Sequence, residues 1–101
     1  MVSPGKYIAF LCAANYIDRV GENAAITIKA REHLENFPNS GTELMPGIKL
    51  LHLTVNDQTY ALVFQRRKQA LGFMYVAELP EEAAQLDAYI ADVKLRYGKK
   101  L

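Results

Sequence analysis

The sequence predicts an α+β domain in which helices cover an antiparallel sheet of three to four strands. Two observations lead to this prediction. Residues 48–79 hold three short apolar runs of strand type separated by two polar turn segments, and amphipathic segments with helical spacing precede and follow this stretch. Successive strands joined by short turns pair as hairpins, so hairpins over 48–66 and 59–79 are expected, covered by two N-terminal helical segments and a C-terminal helix.

Length and composition predict one domain over residues 1–101. Half of the residues are apolar, 23% are charged and the formal net charge is +1, which excludes disorder and a globally basic protein that coats nucleic acid. Cys12 has no second cysteine to pair with, and the apolar run around it is too short for a secretory signal, so a cytoplasmic protein is expected. No segment reaches the roughly twenty apolar residues of a membrane helix, so no membrane partner is expected.

The first predicted element has two interpretations. Residues 7–20 fit a helix, because Ile8, Leu11, Cys12 and Val20 recur at helical spacing, or a short strand from Tyr7 to Leu11 followed by a brief helix.

The second helix is predicted from one apolar stripe and from clear start and stop signals. Glu22-Asn23 can open it, since an Asn side chain accepts from the free amides of a first turn. The segment Phe37–Gly41 ends it, because Pro38 disfavours helix in the residue before it and Gly41 follows, and Thr42–Gly47 is predicted to be a connector that ends in a Pro-Gly turn. The stripe consists of Ile26, Ala30, Leu34 and Phe37.

The sheet is predicted from three strands, Ile48–Val55, Thr59–Arg66 and Leu71–Leu79. Asn56 and Asp57 tolerate positive φ and form the first turn. The middle run is apolar on both faces, which is typical of a central strand. Strict alternation along the second and third runs predicts one aromatic face, built from Tyr60, Phe64, Phe73 and Tyr75.

The closing helix is predicted to begin after Pro80, where Glu81-Glu82 suits the positive end of the helix dipole. Gly98 provides a natural end. Its buried stripe is predicted to be Leu86, Ile90, Val93 and Tyr97, which packs with the other helices mainly on one face of the sheet.

Two groups of residues are candidates for chemistry. Arg66, Arg67 and Lys68 form the densest positive cluster, at a hairpin tip where neighbouring cations can bind phosphate or simply be solvated. His52 interrupts an apolar strand and serves either proton transfer or a structural hydrogen bond. The ligand types for a transition metal are too few and too scattered, so neither a metal nor another cofactor is expected.

The run HLENFPNSGTELMPGIKLLHLTVNDQTYALVFQRRKQALGFMYVAEL, residues 33–79, resembles the middle of RelE/ParE-superfamily toxins, including the HigB branch. In those proteins a helical pair ends in a Pro/Gly-containing loop, and a Pro-Gly-like turn leads into a sheet with a Tyr-containing second strand. The resemblance implies a toxin that acts on ribosome-bound mRNA or on a DNA-handling enzyme, with an antitoxin or target protein as partner. It also implies His52 and Tyr75 as catalytic residues.

The chain departs from the family pattern at two positions. Thr59 replaces the usual Arg before the second-strand Tyr, and the third strand ends at Glu78 without the usual positive charge. A phosphoryl-transfer transition state needs positive groups that converge on the phosphate. The expectation is therefore a RelE/ParE-like toxin or a degenerate relative of one. The alternative is a non-catalytic interaction module, an inhibitor or adaptor that binds a protein or forms a homodimer through its sheet.

Overall fold

The computed structural model describes residues 9–12, 24–66 and 70–98. In chain order the elements of these ranges are β1 (Ala9–Cys12), α1 (Ala25–Asn36), β2 (Thr42–Met45), β3 (Ile48–Val55), β4 (Gln58–Arg66), β5 (Ala70–Leu79) and α2 (Ala83–Gly98). The predicted α+β class with an antiparallel sheet is confirmed. None of the helices in these ranges is long and apolar enough to cross a membrane.

The strands form one sheet in the order β1-β5-β4-β3-β2. The strands β2 to β5 are antiparallel to their neighbours, and β1 pairs with β5 in parallel. The prediction that β4 is the central strand is confirmed. For residues 7–20 the strand interpretation holds over Ala9–Cys12, while the helix proposed to follow it lies outside the described residues.

The turns follow from residue types that tolerate positive φ. Asn56 and Asp57, between β3 and β4, have φ of 52° and 68°, the values of a tight hairpin turn. Gly47 turns the chain between β2 and β3 with φ of 83°. The prediction that Thr42–Gly47 is only a connector was wrong, because this turn returns Thr42–Met45 along the edge of β3. Four residues without apolar alternation carry too little signal to predict such a strand.

The two helices pack on opposite faces of the sheet, which corrects the prediction that helices cover mainly one face. One core, the α1 face, joins α1 to the sheet through Ile26, Ala30, Leu34, Leu51, Leu53, Leu62, Phe64, Leu71, Phe73 and Val76. The other core, the α2 face, joins α2 to the sheet through Ile48, Ala61, Val63, Ala77, Leu86 and Val93. Because β4 has apolar residues on both sides, it supports both cores.

A bulge in β5 explains why one aromatic face does not form. Val63 pairs with Tyr75 and Phe64 pairs with Phe73, so Met74 is an extra residue without a partner in β4. An extra residue reverses the side of the sheet to which the following side chains point. Phe73 therefore lies in the α1 face and Tyr75 in the α2 face, where strict alternation would have put both on one side.

The helix stripes are confirmed at their centres and fail at their ends. In α1, Ile26, Ala30 and Leu34 are buried, but Phe37 is 59% exposed because it lies at the C-cap in a non-helical conformation. The predicted opening at Glu22-Asn23 lies outside the described residues.

In α2, Leu86 and Val93 are buried, whereas Tyr97 is 39% exposed one residue before the helix ends. Ile90 is partly buried against the α2 face.

Candidate phosphate-binding site

Two cationic side chains meet at the loop that follows α1. The Arg66 guanidinium donates from Nη1 to Oδ1 of Asn39 over 2.9 Å. The Lys49 ammonium donates from Nζ to the backbone oxygen of the same Asn39 over 3.4 Å. Both cations extend from the α1 face, because Lys49 pairs with Phe64 and Arg66 follows Phe64 by two residues in β4. We call Asn39, Lys49 and Arg66 the cationic corner.

The loop that carries Asn39, between α1 and β2, is fixed by hydrogen bonds to the end of α1 and by a close approach to β3. The backbone amide of Phe37 donates to the His33 carbonyl over 2.8 Å, and that of Ser40 donates to the Phe37 carbonyl over 3.0 Å. The His33 ring nitrogen Nε2 lies 3.1 Å from Ser40 Oγ. Gly41 has φ of 101°, and a Cβ there would lie 3.0 Å from the Leu50 carbonyl oxygen. Only glycine allows the loop to approach β3 this closely.

The charges of the cationic corner are available to a ligand. Lys49 and Arg66 are partly exposed, and neither forms an ion pair with any residue of the described ranges. The Cα partner of Lys49 in β2 is Glu43, which is exposed and moderates the positive charge on that side. Arg67 and Lys68, predicted to bind phosphate together with Arg66, lie outside the described residues. Guanidinium and ammonium groups at one corner form the donor set that phosphate oxygens accept from.

The two predicted catalytic residues lie on the other side of the sheet. His52 is exposed, and its side chain lies on the α2 face because it pairs with Ala61, which belongs to that face. Tyr75, also in that face, stacks on Tyr89 with ring centroids 4.3 Å apart and planes 11° apart. His52 and Tyr75 lie two strand spacings apart across the sheet and two residues apart along it, which is roughly 12 Å between their Cα atoms. The sheet thus lies between His52 or Tyr75 and the Arg66 guanidinium, and these three groups do not form one site.

The Tyr89 hydroxyl of this stacked pair has a shifted pKa. Burial raises the pKa of the Tyr89 hydroxyl above its ordinary value of 10.0, and Arg96 partly opposes this effect. Tyr97, Asp92 and Tyr75 raise the same pKa further. Tyr89 is therefore a neutral packing residue at physiological pH.

A cleft of about 390 Å³ opens at the N-terminus of α1. Its polar lining comes from Asn56, Gln58, Tyr60 and Glu78. The Gln58 amide is already bonded, since it donates to the carbonyls of Leu79 and Thr59 over 2.9 and 3.0 Å, and Glu78 adds a negative charge that does not suit a phosphate ligand. Phe64 and Phe73 are buried in the other part of the α1 face and Tyr75 is on the opposite face, so these three rings do not line a ligand pocket. In the described ranges no three His, Cys, Asp or Glu side chains are grouped to hold a metal ion.

Comparison of the chain with family models, with curated proteins and with solved structures gives no significant match.

Asn39 is the member of the site that sequence reasoning missed. It was predicted only to help end α1, as part of the Phe37–Gly41 segment. An Asn in a loop gives no sign of which distant strands will contact it, and the contacts of Asn39 cover sequence separations of 10 and 27 residues. Lys49, by contrast, is a cation in a predicted strand, and the pairing of β3 with β4 brings it to the face that carries Arg66.

Proposed function

We propose that this protein binds the phosphate backbone of single-stranded RNA through the cationic corner, as a degenerate relative of the RelE/ParE toxins that does not cleave. The observation that carries the proposal is the convergence of the Arg66 and Lys49 head groups on Asn39. RNA that lies across this corner would exchange the contacts with Asn39 for charge-assisted bonds to phosphate, which are the stronger ones.

The positions of the predicted catalytic residues argue against cleavage. A phosphoryl transfer needs an acid or base within hydrogen-bond reach of the atoms that the cations hold. His52 and the Tyr75 ring belong to the α2 face, whereas Lys49 and Arg66 belong to the α1 face. A phosphate at the cationic corner is therefore out of reach of either predicted catalytic residue.

Fluorescence anisotropy with a labelled oligouridylate tests the binding. We expect Lys49→Gln and Arg66→Gln each to weaken binding several-fold at low salt. Each should also reduce the slope of log Kd against log salt by about 0.7 for every phosphate that the protein no longer neutralises. The matched control is Lys29→Gln, which removes one exposed positive charge from α1 at the end of β3 away from Lys49, where Lys29 Nζ donates to the Thr54 carbonyl over 2.6 Å. If all three variants weaken binding equally, or if the chain does not bind, the proposal is wrong.

A second measurement separates binding from toxicity. Purified protein is added to ribosomes that carry mRNA, and the protein is expressed in growing cells. We expect the mRNA to remain intact and growth to continue at the normal rate. Cleavage that His52→Ala or Tyr75→Phe abolishes would instead support an active RelE/ParE-like toxin and would overturn the non-cleaving version proposed above.

A further inference from the structure

The outer side of α2 carries an apolar strip that no described element covers. Its members recur at spacings of four, three and four residues, which places them within roughly 60° of arc on a helix and opposite the buried Leu86 and Val93. Leu95 is 61% exposed, more than any other large apolar side chain of the described ranges. The outer strip consists of Ala84, Ala88, Ala91 and Leu95, all exposed.

Charged residues border the outer strip in a fixed pattern. Asp87 and Lys94 flank one edge, seven residues apart and therefore on the same side of the helix. Asp92 lies on the other edge, where Arg96 bonds it over 2.7 Å. Asp87 and Lys94 are exposed and form no ion pair within the described ranges. One edge therefore offers a free negative charge and a free positive charge.

We propose that the outer strip packs against the same strip of a second copy of this chain, with the two α2 helices antiparallel. Around a two-fold axis between residues 89 and 90, Ala84 faces Leu95 of the second copy and Ala88 faces Ala91. Each leucine then lies over the smallest side chain of the strip, and the alanines let the helices approach closely. Asp87 lies beside Lys94 of the second copy, and symmetry repeats this ion pair.

The charge pattern favours a second copy of the chain as the partner, and it favours the antiparallel orientation of the two helices. In a parallel pair of helices, Asp87 would face Asp92 of the other helix, which is repulsive. In the antiparallel pair, Asp87 of each copy lies beside Lys94 of the other copy, which gives two attractive pairs. A two-fold interface requires a surface that is complementary to itself, and the outer strip with its charged edge is complementary to itself only in the antiparallel orientation. The helix has 16 residues, so this contact is smaller than a standard interface and gives a weak dimer with a Kd in the micromolar range.

Sedimentation equilibrium of the full chain tests the pairing by charge reversal. Asp87→Lys and Lys94→Asp each turn two attractions into two repulsions, and each should raise the dimer Kd about tenfold. The double variant Asp87→Lys/Lys94→Asp restores opposite charges and should return Kd to near the wild-type value. Glu81→Lys makes the same charge change before α2 begins and should leave Kd unaltered.

A steric variant tests the same contact independently of charge. Ala88 is exposed, so Ala88→Glu should keep the helical circular dichroism of the monomer while it abolishes the dimer. The proposal is overturned if wild-type protein remains monomeric at about 0.5 mM, far above the expected Kd. It is also overturned if the double variant is as weak as the single variants, or if Ala88→Glu still dimerises.

Discussion

The Tyr89 ring links the sheet to α2 by stacking on Tyr75, and its hydroxyl has a pKa that the fold shifts. The folded protein holds the pKa of this group above 10.0, chiefly through burial. A group with a raised pKa contributes stability that is fully present below the pKa of the unfolded chain. That stability is lost as the pH rises through the folded value.

We therefore predict that the free energy of unfolding is lower above pH 10, and that Tyr89→Phe removes part of this decline. The reason is that phenylalanine has no hydroxyl to ionise in the partly buried position. Urea unfolding measured between about pH 8 and 11 gives the comparison. Tyr60→Phe, on the α1 face, is the matched control and should leave the decline in place. A decline of equal size in Tyr89→Phe would contradict the assignment.

The bulge at Met74 decides on which face of the sheet each side chain in the second half of β5 lies. Phe73 and Tyr75 pair with neighbouring residues of β4, so the ladder would be regular if Met74 were absent. Farther along β5, by contrast, each residue has its own partner, including Ala77 opposite Ala61. Loss of a residue there moves the exposed Glu78 into the buried position of Ala77.

We predict that deletion of Met74 yields a folded protein that is less stable by about 2–3 kcal/mol, since only a partly buried side chain is removed. Deletion of Ala77 is expected to cost more than about 4 kcal/mol, because an unpaired carboxylate enters the core. Urea unfolding measures both variants. If the two deletions cost the same, the extra residue of β5 is not at Met74.

At the scale of the molecule, the described residues form two cores separated by one sheet. The buried Leu34 of α1 belongs to the first core and the buried Val93 of α2 to the second, and the two cores share no residue. Energetic coupling between substitutions requires contact or shared partners. The two helices should therefore contribute to stability independently.

We predict that Leu34→Ala and Val93→Ala destabilise additively, with a coupling energy below about 0.5 kcal/mol. Leu34→Ala combined with Leu62→Ala, a pair within the first core, should couple more strongly. Chemical unfolding of the single and double variants provides both cycles. Strong coupling between Leu34 and Val93 would mean that the two faces repack together.

Local patterns were sufficient to predict the strands β3, β4 and β5, the turn at Asn56 and Asp57, and the centres of both helix stripes. Each of these rests on residues close together in the chain: alternation, apolar spacing of three and four, or tolerance of positive φ. The cluster Arg66, Arg67 and Lys68 was predicted in the same way, because it is a local run of charge; of its three residues the structure describes Arg66.

Tertiary structure alone decided which groups meet. The bulge moved Tyr75 away from Phe73, and the register of β3 against β4 placed His52 and Arg66 on opposite faces. Asn39 joined the site through contacts with Lys49 and Arg66, 10 and 27 residues away. The physical reason is that alternation fixes neighbouring side chains only relative to one another. One extra residue, or the face that a helix covers, decides where they lie in the molecule.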